Sequence, residues 1–149
     1  LSGAVLAYSR DVAAPAARAF AALTEARHLE RWFCDAAESD PRAGGALVLR
    51  WTRPGSSGLA FEGRWLEVTP PVRARFRGGH AGYPGGDAGE VGFALAPLDA
   101  GCRVDVRHAV PDDAAFAPHV AEWRAAWPRA LERLARYLSA ATGRGAAPA

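Results

Sequence analysis

The spacing of apolar positions along this chain changes twice, and each change marks a shift in predicted structure. Around residues 4–12, Val5, Ala7 and Val12 are the apolar positions of a first strand. Ala14-Pro15 then opens a short helix, because proline at the first turn has no N–H to lose. Phe20 and Leu23 lie three apart on one face of that helix. A second short helix begins near Ala26 and delivers Leu29, Trp32 and Phe33 to the interior. From Ala46 the period drops to two, with Leu47, Leu49 and Trp51 on one side. The turn cluster of residues 53–58 follows. The return strand sets Phe61, Gly63, Trp65 and Glu67 on a common face and stops at Pro70-Pro71. Val72, Ala74 and Phe76 alternate with Arg73, Arg75 and Arg77, which predicts a strand with one dry and one wet face.

The glycine-rich stretch Gly78–Gly89 predicts a mobile loop. Two further strands carry Val91, Phe93 and Leu95, and then Cys102, Val104, Val106 and His108, joined by a turn at Asp99-Ala100-Gly101. After Pro111 the spacing returns to three and four. Val120, Trp123, Trp127, Leu131, Leu134 and Leu138 form one long helical stripe. Pro128 falls inside it, and proline in a helix interior predicts a kink or break. Residues 141–149 are expected to form a flexible tail, leaving a core of about 4–140 in a single domain.

Several landmarks come in a fixed order: Ala14-Pro15, His28-Leu29, Arg31-Trp32-Phe33, the turn Pro41-Arg42-Ala43-Gly44-Gly45, and the run from Gly63 through Trp65 and Glu67 to Pro70-Pro71. That order resembles the activator-of-heat-shock-chaperone-ATPase-like family of the START-like (SRPBCC) superfamily. The resemblance covers roughly residues 10–140. It implies an α+β helix-grip fold: a curved antiparallel sheet wrapped round a long C-terminal helix, with two short helices after the first strand and a cavity between sheet and helix. Trp127 and His108 match positions common in that family, whereas Pro128 departs from its pattern.

Composition narrows the function classes. With 149 residues the chain is long enough to bury a core without disulfide or metal staples. No apolar run reaches membrane-spanning length, and the N-terminus lacks the pattern of a signal peptide, so neither a membrane nor an export role is expected. The net charge is +2, and the arginines are interleaved with acids, so no nucleic-acid footprint is expected either. Lysine, isoleucine, methionine, asparagine and glutamine are absent, which suggests a GC-rich, bacterial coding genome. Cys34 and Cys102 form no CxxC pair and read as free thiols of a reducing cytoplasm.

Candidate chemistry is sparse. His108 shares its strand face with Val104 and Val106, where a neutral imidazole could orient a ligand or accept a proton. The commoner reading is a core histidine satisfied by a backbone carbonyl or a buried water. Glu67 faces the same way as Trp65 in the predicted register, so it is a second candidate for the cavity, with a solvated rim position as the plainer reading. Trp32, Phe33, Trp51, Phe61, Trp65, Phe76, Phe93, Trp123 and Trp127 supply an aromatic lining or, more simply, the core. No phosphate loop, nucleophile elbow or metal spacing is present, so no cofactor or metal is expected. These residues point to binding of a small hydrophobic or amphipathic molecule under the C-terminal helix. The resemblance adds two further readings, a chaperone-ATPase-modulating domain and a polyketide cyclase-like enzyme. The chaperone partner ranks low because the co-chaperone's second domain is not among these residues. A homodimer through edge strands or the Arg73/Arg75/Arg77 face is also possible.

Overall fold

A computed structural model describes residues 3–56 and 58–146, with side chains through residue 140. One antiparallel sheet has the strand order β1-β7-β6-β5-β4-β3-β2. The strands are β1 Val5–Val12, β2 Ala36–Ser39, β3 Ala46–Arg50, β4 Ala60–Thr69, β5 Arg73–Gly79, β6 Glu90–Leu98 and β7 Gly101–Ala109. Helices α1 Ala16–Thr24 and α2 Ala26–Trp32 lie between β1 and β2, and the long α3 Ala117–Ala146 closes the chain. This is the expected α+β helix-grip arrangement, with α3 packed against the inner face of the sheet. Leu131, Leu134 and Leu138 meet Leu47, Leu95, Val104 and Val106 in one buried cluster.

Several local expectations are corrected. The inward positions of β1 are Leu6, Tyr8, Arg10 and Val12, whereas Val5 and Ala7 face out; the register pairs Leu6 with His108 and Tyr8 with Val106. Strand β2 was not anticipated, since Ala36–Ser39 has no apolar alternation. It forms because β3 offers it a free edge, pairing Ala36 with Arg50 and Ser39 with Leu47. Trp51 lies just past the end of β3 rather than within it. Gly78–Gly89 is not a structureless loop: β5 extends to Gly79, a single 3-10 turn spans Pro84–Gly86, and Ala88 is buried.

Pro128 does not break α3, which runs through it. A proline at 128 leaves the Arg124 carbonyl without its usual amide donor. The Tyr8 hydroxyl donates to that oxygen at 3.3 Å, so the first strand supplies the missing bond. The helix also runs past Thr142 to Ala146, so the first part of the expected tail is helical, and residues 147–149 lie outside the described residues. Phe116, on a short turn before α3, is a core residue that the stripe did not include; it packs with Leu6 and Val110.

Candidate functional site

The seam where the sheet meets α3, closed on its other side by α1 and α2, is lined entirely by Leu, Phe and Trp side chains, with Trp127 the one contributed by α3. Leu23, Leu29 and Trp32 approach from α1 and α2, and Leu47, Leu49, Trp65, Phe76 and Phe93 rise from the sheet. Phe33 and Trp127 complete the wall, and the void left between them is only ≈ 20 Å³. A single water needs about that much room together with polar partners, and this wall has none to give. Trp32, Trp65, Phe76 and Phe93 are buried, while Phe33 and Trp127 are half-buried. The seam is therefore an apolar site held almost shut by its own indoles.

Each indole N–H of the wall is directed elsewhere. Trp32 Nε1 donates at 2.8 Å to the carbonyl of Ala22, one of the last carbonyls of α1, which has no partner inside its own helix. Trp65, only 1% exposed, donates at 3.0 Å to Ser39 Oγ, and Ser39 in turn donates at 2.5 Å to the Thr24 carbonyl. Trp127 Nε1 donates at 3.1 Å to His108 Nδ1. The short helix α2 is finished in the same way. Arg133 Nε reaches the Trp32 carbonyl at 3.3 Å, and Trp51 Nε1 reaches the Phe33 carbonyl at 2.8 Å. Trp51 thus does not line the void; it stands edge-on against Phe33 with ring centroids 5.4 Å apart.

His108 is 3% exposed and has both ring nitrogens occupied. An indole only donates, so Nδ1 must be the unprotonated acceptor. Nε2 then carries the proton and donates it to the Ala88 carbonyl at 2.6 Å. Burial pushes the His108 pKa below its ordinary value, and the bond to Ala88 only partly opposes this. The core-histidine reading therefore describes His108. Trp123 packs over its ring at 4.6 Å, outside the wall of the void.

Glu67 is on the opposite face of the sheet from the one expected. A bulge at Leu66 shifts the register between Trp65↔Phe76 and Glu67↔Arg75, so the alternation reverses after Trp65. Glu67 accepts from Arg75 Nε at 2.9 Å, and Arg75 also pairs with Glu90 at 3.0 Å. The hydrogen bond from Arg75 holds the Glu67 carboxyl below its ordinary pKa. Phe61 is buried against Phe76, beside the void rather than on it. Sequence reasoning missed Leu23, Leu29, Leu47 and Leu49 as wall residues, although their inward phase was legible. It also missed Tyr83, whose ring packs 5.3 Å from Trp123 and 3.8 Å from His80.

Two wider hollows lie on the surface. One, ≈ 580 Å³, is lined by Ser9, Arg10, Asp11, Arg103 and Asp105. Arg103 pairs there with Asp11 at 3.0 Å, the Ser9 hydroxyl donates to Asp105, and Arg10 reaches out to Glu132 of α3, so the hollow is an exposed polar surface. The other, ≈ 320 Å³, is an open groove between α1 and the Pro70-Pro71 turn. Among the described residues no group of His, Cys, Asp and Glu is placed to hold a metal ion, and no helix is long and apolar enough to cross a membrane.

Residues 13–139 match the family described as activator of Hsp90 ATPase homolog 1-like protein. The chain belongs to that family. Solved structures of bacterial proteins share the fold of this activator-like family member. MLL2253 of Mesorhizobium loti superposes with a TM-score of 0.80 at 19% identity, over 91% of this chain and 97% of its own. The Aha1 dimer of Colwellia psychrerythraea has a TM-score of 0.76 at 18% identity, covering 91% and 96%. CV1439 of Chromobacterium violaceum has a TM-score of 0.70 at 28% identity, covering 90% and 96%. Among curated proteins, none matches the chain in sequence.

Proposed function

We propose that this chain binds a small hydrophobic or amphipathic molecule, non-covalently, in the seam between the sheet and α3. The observation that carries the reading is the apolar wall itself, closed around ≈ 20 Å³ with half-buried Phe33 and Trp127 at its edge. Small-molecule sites usually offer roughly 300–1,000 Å³, so uptake requires side chains to move. Phe33 is the side chain best placed to do so, since it ends α2 and only Trp51 and Trp32 flank its ring among the aromatic contacts of the described residues. Affinity then comes from apolar burial, at about 25 cal/mol per Å². Glu67 and His108 sit on opposite faces of the sheet, so they do not form a proton-transfer pair, which favours binding over turnover.

Native mass spectrometry of the freshly purified protein, followed by denaturing extraction, tests the reading. Leu49→Phe fills the void from the sheet side. The wild-type chain is expected to carry a small molecule that this variant lacks; equal retention by both would move the ligand out of the seam. Two lesser parts of the proposal have their own support. The Colwellia relative solved as a dimer supports a homodimer here, read by light scattering as a mass of two chains or one. Cys34 and Cys102 are free and buried apart, which suits a cytoplasmic location.

A further inference from the structure

Resting on that binding reading, we infer that the seam selects an apolar ligand with no hydrogen-bonding group, because every polar handle around it is already engaged within the chain. The three indoles of the wall are the only side chains there that carry a polar atom, and each N–H has a protein acceptor: Ala22 O, Ser39 Oγ and His108 Nδ1. His108, the acceptor of the Trp127 N–H, spends its other nitrogen on Ala88 O, and the buried Cys34 thiol is hydrogen-bonded to the Leu29 and Ala36 carbonyls. Among the described residues no buried side-chain nitrogen or oxygen lacks a partner. A hydroxyl or amide carried into the seam would therefore lose its water and find neither donor nor acceptor. To gain one it would have to break a bond between protein groups, leaving a buried group unpaired in its place. This narrows the ligand to the hydrocarbon end of the range: an aromatic or aliphatic molecule, or the apolar part of a longer one whose polar end stays outside Phe33.

Toluene and phenol form a nearly isosteric pair that differs in one hydroxyl, and both can be titrated into the wild-type protein with seam resonances followed by NMR. Toluene is expected to bind roughly tenfold to a hundredfold more tightly than phenol, the discrimination typical of an added hydroxyl without a partner. Equal affinity, or tighter binding of phenol, overturns the inference while leaving seam binding intact. If neither probe perturbs the seam, the binding function itself fails and the inference fails with it.

Trp127→Phe supplies a second reading of the same point. It removes the N–H that occupies His108 Nδ1 and leaves a bare acceptor beside an enlarged void. The preference for toluene over phenol should then fall about tenfold, since the phenol hydroxyl gains a partner. An unchanged ratio in the folded variant overturns the inference.

Discussion

Phe93→Ala opens the seam from the sheet side, and its consequences can be worked from the packing. Phe93 is 6% exposed, lies between Ala74 and Val106 in the ladder, and touches Phe76 and Trp127 with centroids 6.1 and 6.3 Å away. The neighbours on both sides are strand residues and a helix anchored by its own stripe, so little collapse into the space is available. Truncation removes about 100 Å³ of side chain, and at about 24 cal/mol per Å³ the cavity alone costs about 2.4 kcal/mol. With the lost transfer energy the total reaches about 3–5 kcal/mol. That corresponds to a fall of roughly 10 °C in Tm for a domain of this size. The void grows from ≈ 20 Å³ to the order of 100 Å³, approaching the size at which a dry apolar cavity takes up benzene. Urea denaturation with and without saturating toluene is the assay. The variant should lose the stated stability and recover part of it with toluene, more than the wild type gains. A loss below about 1 kcal/mol, or no ligand-dependent recovery, would refute the packing described for the seam.

Tyr8→Phe should cost about 0.5–1.5 kcal/mol by leaving the Arg124 carbonyl without its donor, and less in a Pro128→Ala background, where the backbone N–H returns; equal costs in both backgrounds would remove Tyr8 from that role. The pKa of His108 is lowered on folding, as are those of His28 and His80, chiefly by burial. The unfolded chain thus binds more protons in the window from about 6.5 down to the folded values, and stability should fall as pH falls through it. Urea midpoints between pH 7.5 and 5 read this, and a flat profile would contradict the neutral, doubly bonded imidazole. Burial pushes the Cys34 thiol up to about 11. Cys34 should therefore stay unreactive toward a thiol reagent at pH 8 until the chain unfolds; prompt labelling of the native protein would contradict its burial.

The parts of the fold legible in the sequence are those where burial and period agree. Ala74 and Phe76 against Arg73, Arg75 and Arg77 specify β5 and its faces, although Val72, expected on the dry face, precedes the strand and is exposed; the Leu131, Leu134, Leu138 stripe specifies the gripped helix. Failures occur where one residue resets the phase or a distant group supplies a bond. The bulge at Leu66 turned Glu67 outward, and no feature of the alternation announces an extra residue there. Val5 and Ala7 misled because the inward side of β1 carries Tyr8 and Arg10, whose polar ends reach Arg124 and Glu132 of α3. Pro128 obeys the local rule that frees a carbonyl, yet the helix continues because Tyr8 captures it.

For the candidate site, the aromatic set was legible but its closure was not. Trp32, Trp65 and Trp127 shut the seam because their N–H groups are tied to Ala22, Ser39 and His108, and partners of that kind leave no periodic trace. The same ties explain why His108 is a structural residue of the core.

Incorporation of 5-fluorotryptophan gives the most direct test, because the chain has five tryptophans and the account divides them. Titration with toluene should move the fluorine resonances of Trp32, Trp65 and Trp127, which wall the void, and leave Trp123 close to its starting position. Shifts confined to Trp51 and Trp123, or no saturable shift at all, would contradict a binding site between the sheet and the long helix.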